Sequence, residues 1–215
     1  MSNEQTSSTV KRILIAVIAV SICAVGAFVL LMTYPAGEYR AAKELELRGF
    51  LVDNTRQSYN VWAYPRILIG ENLSITEDDS RLIGQLSHLQ DLVFRRCDLS
   101  GLNLDDIGNC QELIGFSCDD VTPFPADEIR KLAACPVHRA SFVNASLDDS
   151  DLADFAKWIR LQNLYLNDNV EITDTGFDHL EKIASLKYLI LTGASVTQER
   201  IEEFKKKRPD VEVEF

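Results

Sequence analysis

The sequence is short of the residues and motifs that catalysis and metal binding commonly require. It has three histidines, His88, His138 and His179, and no two of them stand at the spacing of metal ligands. Glycine-rich phosphate loops, the H-E-x-x-H motif and the G-x-S-x-G motif are all absent. A calcium loop of the form D-x-D-x-D-G is absent as well. These absences favour a protein that is not an enzyme and that carries no cofactor or metal.

Clustered positive charge is also scarce. The formal net charge is −11, and residues 1–33 contribute Lys11, Arg12 and Glu4, so the rest of the chain carries −12. Binding to nucleic acid depends on clustered lysine and arginine and is therefore not expected. The basic run from Lys205 to Arg208 is interpreted as the last turn of a helix, where cations interact favourably with the helix dipole. A small binding patch is the alternative interpretation.

Long apolar runs are limited to one, from Ile13 to Met32. At about 1.5 Å per residue, a helix over residues 13–33 is roughly 30 Å long, which matches the hydrocarbon core of a bilayer. Lys11 and Arg12 precede this run, so the positive-inside rule places residues 1–12 in the cytoplasm and the remaining chain outside it. We predict a single-pass anchor in the cell membrane. A cleaved signal peptide is the alternative, although its apolar region is usually shorter, about 7–15 residues.

The feature that the sequence does contain is an internal repeat. Residues 161–169 read L-x-x-L-x-L-x-x-N, and similar segments begin at residues 64, 89, 113, 137, 161 and 186. The first and last steps between these starts are one residue longer than the others, which we attribute to one extra loop residue before Ile75 and before Ile172. Residues 211–215 form a last, degenerate strand. The alternation within each segment predicts one strand per repeat.

Each predicted strand is followed by apolar residues spaced three and four apart, which is the pattern of an amphipathic helix. Leu82 and Leu86 form one such face, and Leu152, Phe155 and Ile159 form another. A single strand–helix unit cannot bury its apolar face, whereas a stack of units shares one continuous core. The sequence therefore predicts an α/β solenoid with a parallel strand ladder on one side and helices on the other.

This pattern resembles the leucine-rich-repeat family, in its ribonuclease-inhibitor-like and cysteine-containing subtypes. The run I-T-D-x-G-x-x-x-L from Ile172 to Leu180 resembles short bacterial members, which are often membrane-anchored or secreted. The resemblance covers residues 64–215 and implies a right-handed solenoid with helices on the convex side, which binds proteins on its concave face. Pro123 and the two alanines Ala140 and Ala145 depart from the pattern, so local irregularity is expected in repeats three and four.

The stretch from residue 38 to residue 63 lacks the repeat and is predicted to be an N-terminal cap. Ala41 to Leu47 indicates a short helix. Phe50 to Val52 and Tyr59 to Ala63 indicate two strands around a polar turn. An end repeat exposes its apolar face unless something covers it, and a segment at this position serves that purpose.

The sequence contains five cysteines but no C-x-x-C motif, so neither a zinc site nor a redox motif is predicted. Cys97 and Cys118 occupy inward positions of the repeat, and Cys110 and Cys135 fall at helix ends that face the core. We interpret them as buried thiols that pack as small apolar side chains. A disulfide between Cys97 and Cys118 on adjacent repeats is the alternative, because the predicted location is oxidising.

The strand alternation also predicts which side chains face a partner. Positions three, five, seven and eight of each repeat point to the concave face, which in the first repeat selects Arg66 and Leu68. Tyrosine and arginine are common interface anchors. The predicted partner-binding residues are Arg95, Arg96, Asp119, Asp120, Asn163, Tyr165, Asn167, Asp168 and Tyr188.

Three functions remain open at this point. The first is a membrane-anchored, non-catalytic module that binds a protein partner through the concave face. The main alternative is a structural or assembly component of an envelope complex, which packs laterally against its neighbours. The third is an enzyme with a site built across repeats, which the missing motifs and the inward-facing thiols disfavour. The sequence indicates a protein partner and a membrane anchor, and no nucleic acid.

Overall fold

The computed structural model describes residues 36–53, 64–121, 124 and 126–215. The predicted cytoplasmic tail (1–12) and membrane anchor (13–33) lie outside these residues, as does the second predicted strand of the cap, Tyr59 to Ala63. Among the helices that the structure does describe, none has both the length and the apolar character needed to cross a bilayer. The anchor therefore stays a prediction.

Eight strands form one sheet in which every strand lies beside the strands that precede and follow it in the chain. The first strand is antiparallel to the second, and all later neighbours are parallel. The strands are β1 Leu51–Asp53, β2 Ile67–Glu71, β3 Asp91–Arg95, β4 Gly115–Asp119, β5 Arg139–Ser141, β6 Asn163–Tyr165, β7 Tyr188–Ile190 and β8 Glu212–Glu214. The parallel ladder that the repeat predicts is thus confirmed.

Helices connect the parallel strands and pack side by side along one face of the sheet. A longer helix, Ala36–Leu47, precedes β1. The connecting α-helices are Glu77–Ile83, Leu104–Ile107, Leu152–Phe155, Phe177–Leu180 and Gln198–Lys207, and the 3-10 helices are Ala126–Ala134 and Asp174–Gly176. Most of them are short because each crosses the width of one repeat only, and the alternating strands and helices match the predicted α/β solenoid.

The register of the ladder stacks equivalent residues of successive repeats directly above one another. One inward row is Leu68, Leu92, Phe116, Ala140, Leu164, Leu189 and Val213. A second inward row follows two residues later in each repeat and contains Phe94, Cys118, Phe142, Leu166 and Leu191. All of these side chains are buried. Because side chains alternate between the two faces of a strand, these rows form the core and the residues between them face outward.

The first repeat lies one residue away from its predicted register. The sequence pattern placed its start at Tyr64 and Leu68 on the concave face, but Leu68 pairs with Leu92 and is fully buried, while Ile67 and Ile69 face outward. A slip of one residue exchanges the two faces of a strand. The cause is Gly70, which stands at the second inward position, where the pattern expects a large apolar residue.

The space left by Gly70 is filled by neighbouring aromatic rings. A Cβ atom at Gly70 would lie 3.1 Å from a ring carbon of Phe50 and 3.3 Å from one of Phe94. The first repeat is therefore as long as its successors, and the extra loop residue predicted before Ile75 is wrong. The lengthened repeat near Ile172 is confirmed, since Asn163 pairs with Tyr188 across a step one residue longer than the rest.

Two predicted core positions on the helical side are also corrected. Ile159 is 80% exposed, whereas Trp158 is buried, and its indole N–H donates to the carbonyl oxygen of Ile129 at 3.2 Å. The amide of Leu161 donates to the carbonyl oxygen of Trp158, and this i-to-i−3 turn recurs before other strands. Because the turn replaces the expected helical period, the buried position shifts by one residue, to an earlier residue here and to a later one in the first repeat. In the first repeat Ile83 is fully buried, and Leu82 only partly so.

The four cysteines in the described residues are all buried, and none forms a disulfide. Desolvation raises the pKa of the Cys110 thiol to about 12 and that of the Cys135 thiol to about 11. Burial likewise raises the pKa of Cys118 well above its usual value. The thiols of Cys97 and Cys118, proposed above as an alternative disulfide, are separate. The structure fits the interpretation of these cysteines as small apolar core residues.

Asn169 connects two adjacent repeats through a buried side-chain amide. Its Oδ1 accepts from the backbone N–H groups of Ala145 and Leu147, each at 3.1 Å. Its Nδ2 donates to the carbonyl oxygens of Phe142 at 2.6 Å and Leu166 at 2.9 Å. Buried backbone groups of this kind cost free energy when they have no partner. The Asn169 side chain therefore provides hydrogen-bond partners for backbone groups that water cannot reach.

Aspartate–threonine pairs link successive repeats on the helical side. The carboxylate of Asp149 accepts from the backbone N–H of Thr173 at 2.7 Å and from its hydroxyl at 2.6 Å. The carboxylate of Asp174 accepts from Thr197 in the same way, at 2.7 and 2.8 Å. Thr173 and Thr197 each precede a helix and accept from a backbone N–H of its first turn. One carboxylate thereby positions both the cap and the next repeat.

We predict that Asn169→Ala lowers the free energy of unfolding by about 3 kcal/mol, because it leaves several buried backbone groups without partners. Chemical denaturation followed by circular dichroism measures this. Asn167→Ala is the matched control, since Asn167 is the same residue type two positions earlier and its Oδ1 has no hydrogen-bond partner among the described residues. Equal losses for the two substitutions would contradict the role given to Asn169.

We also predict that Trp158→Ala lowers the free energy of unfolding by about 3–5 kcal/mol, the usual cost of emptying a large aromatic site in a core. Ile159→Ala should change it by less than about 0.5 kcal/mol, because the side chain is mostly in solvent. The same denaturation experiment compares them. A larger loss of stability for Ile159→Ala than for Trp158→Ala would show that Ile159 is the buried residue, as the helical period of the sequence predicts.

Candidate binding face

One face of the sheet is turned away from the core, and no described helix or loop covers it. We call it the open face, and it corresponds to the face predicted to be concave. Its side chains are half-buried or exposed, in contrast to the buried rows on the other side. From β2 to β8 the open face contains Ile67, Ile69, Asp91, Val93, Arg95, Ser117, Asp119, Arg139, Ser141, Asn163, Tyr165, Tyr188, Ile190, Glu212 and Glu214.

The nine predicted site residues lie either on this face or in the turns directly after the strands. The structure does not bring them into one cluster. Arg95 ends β3 and Arg96 follows it in the turn, whereas Tyr188 is on β7, and three strands separate them. Asp119, Asp120, Asn163, Tyr165, Asn167 and Asp168 occupy the strands and turns between these ends. The predicted residues therefore form three groups along one surface, at the end of β3, at the end of β4, and on β6 and β7.

The turns after the strands have a backbone conformation that most residues avoid. Arg96, Asp120 and Asp168 have φ angles of 50°, 54° and 61°, and the equivalent Gly193 has 84°. Asparagine, aspartate and glycine tolerate this left-handed region best, and an arginine there is uncommon. Arg96 forms a salt bridge with Glu71, and its Nε donates to the side-chain oxygen of Asn72 at 3.1 Å.

Arg95 and Arg96 thus differ in what they can offer a partner. The guanidinium of Arg96 is already paired with a carboxylate on the neighbouring strand. Arg95 is exposed and has no ion pair among the residues that the structure describes. Of the two arginines that the sequence singles out, Arg95 is the one whose charge is uncommitted.

The middle of the open face is a shallow depression of about 170 Å³. It forms because the outward residues there are small, namely Gly115, Ser117 and Ser141. Larger side chains stand around it, with Val93 on one side and Tyr165 on the other. Arg139 donates to the carboxylate of Asp91 at 2.9 Å across this depression. Asp119 accepts from the hydroxyls of Ser117 at 3.0 Å and Ser141 at 2.8 Å.

Tyr165 and Tyr188 form the aromatic part of the face. Their ring centroids are 5.9 Å apart with an interplanar angle of 66°, an edge-to-face arrangement. The hydroxyl of Tyr188 donates to the carboxylate of Glu214 on β8. This hydrogen bond, together with the negative charge of that carboxylate, raises the pKa of Tyr188 to about 12. The ring is consequently held in place as a neutral phenol at physiological pH.

Glu212 and Glu214 belong to the face but were missed in the sequence analysis. The sequence pattern predicts a degenerate strand over residues 211–215, with Val211, Val213 and Phe215 as its apolar positions, and no outward residues were assigned to it. The same alternation places the two glutamates between them outward, and Glu212 pairs directly with Tyr188. The signal was present in the sequence, but the short strand carried too few apolar residues to be read as a full repeat.

Charge is unevenly distributed along the open face. On β2 and β3, carboxylates are paired with arginines, as in Glu71 with Arg96 and Asp91 with Arg139. From the end of β4 to β8, several carboxylates have no ion pair with any described residue. These are Asp119, Asp120, Asp168, Glu212 and Glu214.

The basic run near the C-terminus is used within the fold. Lys205 to Lys207 form the last turn of helix Gln198–Lys207, as predicted. Lys207 donates to the carboxylate of Glu181 at 2.9 Å. Arg208 donates to three backbone carbonyl oxygens, those of Glu181, Ile183 and Leu186. These contacts cap the neighbouring helix and support the helix-end interpretation over a binding patch.

Histidines and cysteines do not assemble into a site within the described part of the chain. No group of three His, Cys, Asp or Glu side chains there could hold a metal ion. His88 is part of the contact between the first helix and the first repeats. Its backbone N–H donates to the buried carboxylate of Glu38 at 3.0 Å, and its ring stacks on that of Tyr64 at 3.9 Å.

Comparison with known proteins identifies the fold. No family model matches the sequence, and no match is found among curated proteins. Among solved structures, internalin C2 of Listeria monocytogenes is similar with a TM-score of 0.50 at 14% identity, covering 85% of this chain and 84% of that protein. This likeness shows a leucine-rich-repeat fold and nothing more specific.

Two further solved structures are similar over a smaller share of their length. A leucine-rich-repeat protein of Leptospira interrogans gives a TM-score of 0.46 at 20% identity over 63% of this chain. Another internalin of Listeria monocytogenes gives a TM-score of 0.46 at 15% identity over 67% of this chain. The chain spans 33% and 39% of the length of those two proteins, respectively.

We predict that Glu214→Gln lowers the pKa of Tyr188 from about 12 towards the ordinary value of 10.0, because the carboxylate that favours the protonated phenol is removed. An NMR titration of the tyrosine ring carbons between pH 8 and pH 12 follows this directly. Tyr165 serves as the internal reference in the same spectra. If Tyr188 titrates identically in both proteins, the hydrogen bond to Glu214 does not exist in solution.

Proposed function

We propose that this leucine-rich-repeat chain is a membrane-anchored, non-catalytic module that binds another protein through the open, concave face of its sheet. The observation that carries the proposal is that this face is uncovered over seven strands, while the opposite side is packed against helices. Residues 13–33 would hold the module in the cell membrane. The tail, residues 1–12, would lie in the cytoplasm and the repeats outside it.

The composition of the open face supports binding of a protein. It presents two tyrosines in contact, an uncommitted arginine at Arg95 and a depression large enough for a side chain. Aromatic residues and arginine contribute disproportionately to the free energy of protein association. The leucine-rich-repeat fold adds an argument by analogy, although fold alone does not determine function.

The chemistry of the side chains supports a role without catalysis. The buried cysteines are poor nucleophiles, because the thiolate is the reactive form and burial raises the pKa of the thiols. Glu38 and His88 form a pair at 3.1 Å, but the carboxylate is buried between a helix and a repeat. Its position suits a structural contact that joins the first helix to the solenoid.

The anchor is supported by the sequence alone. The apolar run from Ile13 to Met32 has the length of a bilayer span, and Lys11 and Arg12 flank it on one side. A tether of this kind would keep the open face near the membrane surface and raise its effective concentration towards a partner there. The partner would accordingly be another envelope protein or a protein that approaches the cell.

The test is crosslinking of the full-length protein in its native membrane, with identification of captured proteins by mass spectrometry. Arg95→Ala, Arg96→Ala, Tyr165→Ala and Tyr188→Ala are combined in one variant. We expect at least about a tenfold loss of one specific partner, since two aromatic anchors and two arginines are removed.

A matched control removes two cations and two exposed apolar side chains elsewhere, by Ile159→Ala, Leu47→Ala, Lys182→Ala and Lys206→Ala. This control should capture the partner normally. A set of proteins that co-purifies equally with both variants would instead support the alternative, a structural component of an envelope complex. Capture that fails even in the unmodified protein would overturn the proposal.

A further inference from the structure

From the end of β4 to β8, the open face carries negative charge that the described part of the protein does not neutralise. Asp119, Asp120, Asp168, Glu212 and Glu214 have no ion pair there, although carboxylates elsewhere in the fold do. Arg200, for example, donates to both Asp178 and Glu181 on the helical side. Unpaired carboxylates that line one surface create a negative potential, which favours association with a cation.

Two aromatic rings stand among these carboxylates. Tyr165 and Tyr188 are half-exposed, and no described arginine or lysine is stacked on either ring. By contrast, Arg200 lies over the ring of Phe177 at 5.6 Å on the helical side. The faces of aromatic rings attract cations, most strongly where water is partly excluded. Glu212 and Glu214 stand on the strand beside Tyr188, where they can neutralise the same charge.

We propose that this acidic and aromatic part of the open face binds a cationic segment of the protein partner. An arginine or lysine side chain of that segment packs against Tyr165 and Tyr188, and the carboxylates of Glu212 and Glu214 neutralise its charge. Asp119, Asp120 and Asp168 extend the negative surface along the segment. The inference rests on the proposed function, and it adds the chemical class of the partner.

The phenol of Tyr188 has a defined part in this arrangement. Its hydroxyl donates to Glu214, which restrains the position of the side chain on the open face. The phenylalanine variants Tyr165→Phe and Tyr188→Phe keep the aromatic faces and remove the hydroxyls. They therefore separate a contact with the ring face from a hydrogen bond to the hydroxyl.

The experiment uses the full-length protein in nanodiscs of phosphatidylcholine, which has no net charge. The probe is a short fluorescein-labelled peptide of glycine, serine and several arginines, and binding is followed by fluorescence anisotropy. A peptide in which citrulline replaces every arginine is the matched ligand control, because it has the same shape without the charge. Thermal unfolding by circular dichroism verifies that each variant is folded.

We expect the arginine peptide to bind and the citrulline peptide to bind at least about tenfold more weakly. Tyr165→Ala with Tyr188→Ala should weaken binding about tenfold, and the two phenylalanine substitutions by less than about threefold. Glu212→Gln with Glu214→Gln should also weaken it about tenfold. Glu199→Gln with Glu202→Gln, the same change of charge on the exposed side of a helix, should leave affinity within about twofold.

Three results would overturn the inference. Equal binding of both peptides would show that charge is not recognised. Equal weakening by the control pair of glutamates would show general attraction to an acidic protein. Self-association in sedimentation that the tyrosine substitutions abolish would assign the face to a second copy of this chain.

The failure of this inference can be told apart from failure of the proposed function. If the crosslinked partner is lost in the Arg95, Arg96, Tyr165 and Tyr188 variant while the arginine peptide does not bind, the face binds a protein whose contact segment is not cationic. If neither the partner nor the peptide binds, the proposed function fails together with the inference.

Discussion

The parallel hydrogen-bond ladder from β2 to β8 decides which side chains form the core and which can meet a partner. Each strand pairs in register with the strand before it, so Leu68, Leu92 and Phe116 lie in one buried row. Between such rows, Arg95, Tyr165 and Tyr188 are turned outward by the same alternation. A change of register in one strand would exchange its two faces. The open face is therefore as well defined as the core beneath it.

Aromatic packing makes the core continuous where the repeat is weakest. Ala140 leaves room at an inward position of repeat four, and the ring of Phe142 contacts those of Phe116, Phe124 and Phe155 at centroid distances of 5.2 to 5.9 Å. The connection in repeat three is a 3-10 helix, Ala126–Ala134, whereas most of the others contain an α-helix. The irregularity expected from Pro123 and Ala140 thus has a counterpart in the helix type, although Pro123 itself lies outside the described residues.

The periodic part of the sequence was sufficient to predict the ladder, the inward cysteines and the outward positions of the central repeats. It failed at two kinds of places. In the first repeat, Gly70 occupies an inward position where the repeat pattern expects a large apolar residue. The pattern therefore matched the sequence one position too early, at Tyr64. Trp158 was passed over because a tight turn, and not a continuing helix, precedes each strand. Contacts such as Asn169 with two repeats, or Tyr188 with Glu214, join residues that are 22 or more positions apart. No local pattern specifies them, because they arise only when the repeats stack.

The four buried thiols determine whether unfolding of this protein can be reversed. While the solenoid is intact, Cys97, Cys110, Cys118 and Cys135 are protected by burial, and the raised pKa of at least three of them suppresses the thiolate. If the repeats lie outside the cytoplasm, as proposed, unfolding would expose all four thiols together to oxidants, which would join them in disulfides that the folded structure does not contain. Refolding would then be blocked by wrong crosslinks. In that setting the lifetime of the protein would depend on how rarely it opens, more than on the free energy it regains when it closes.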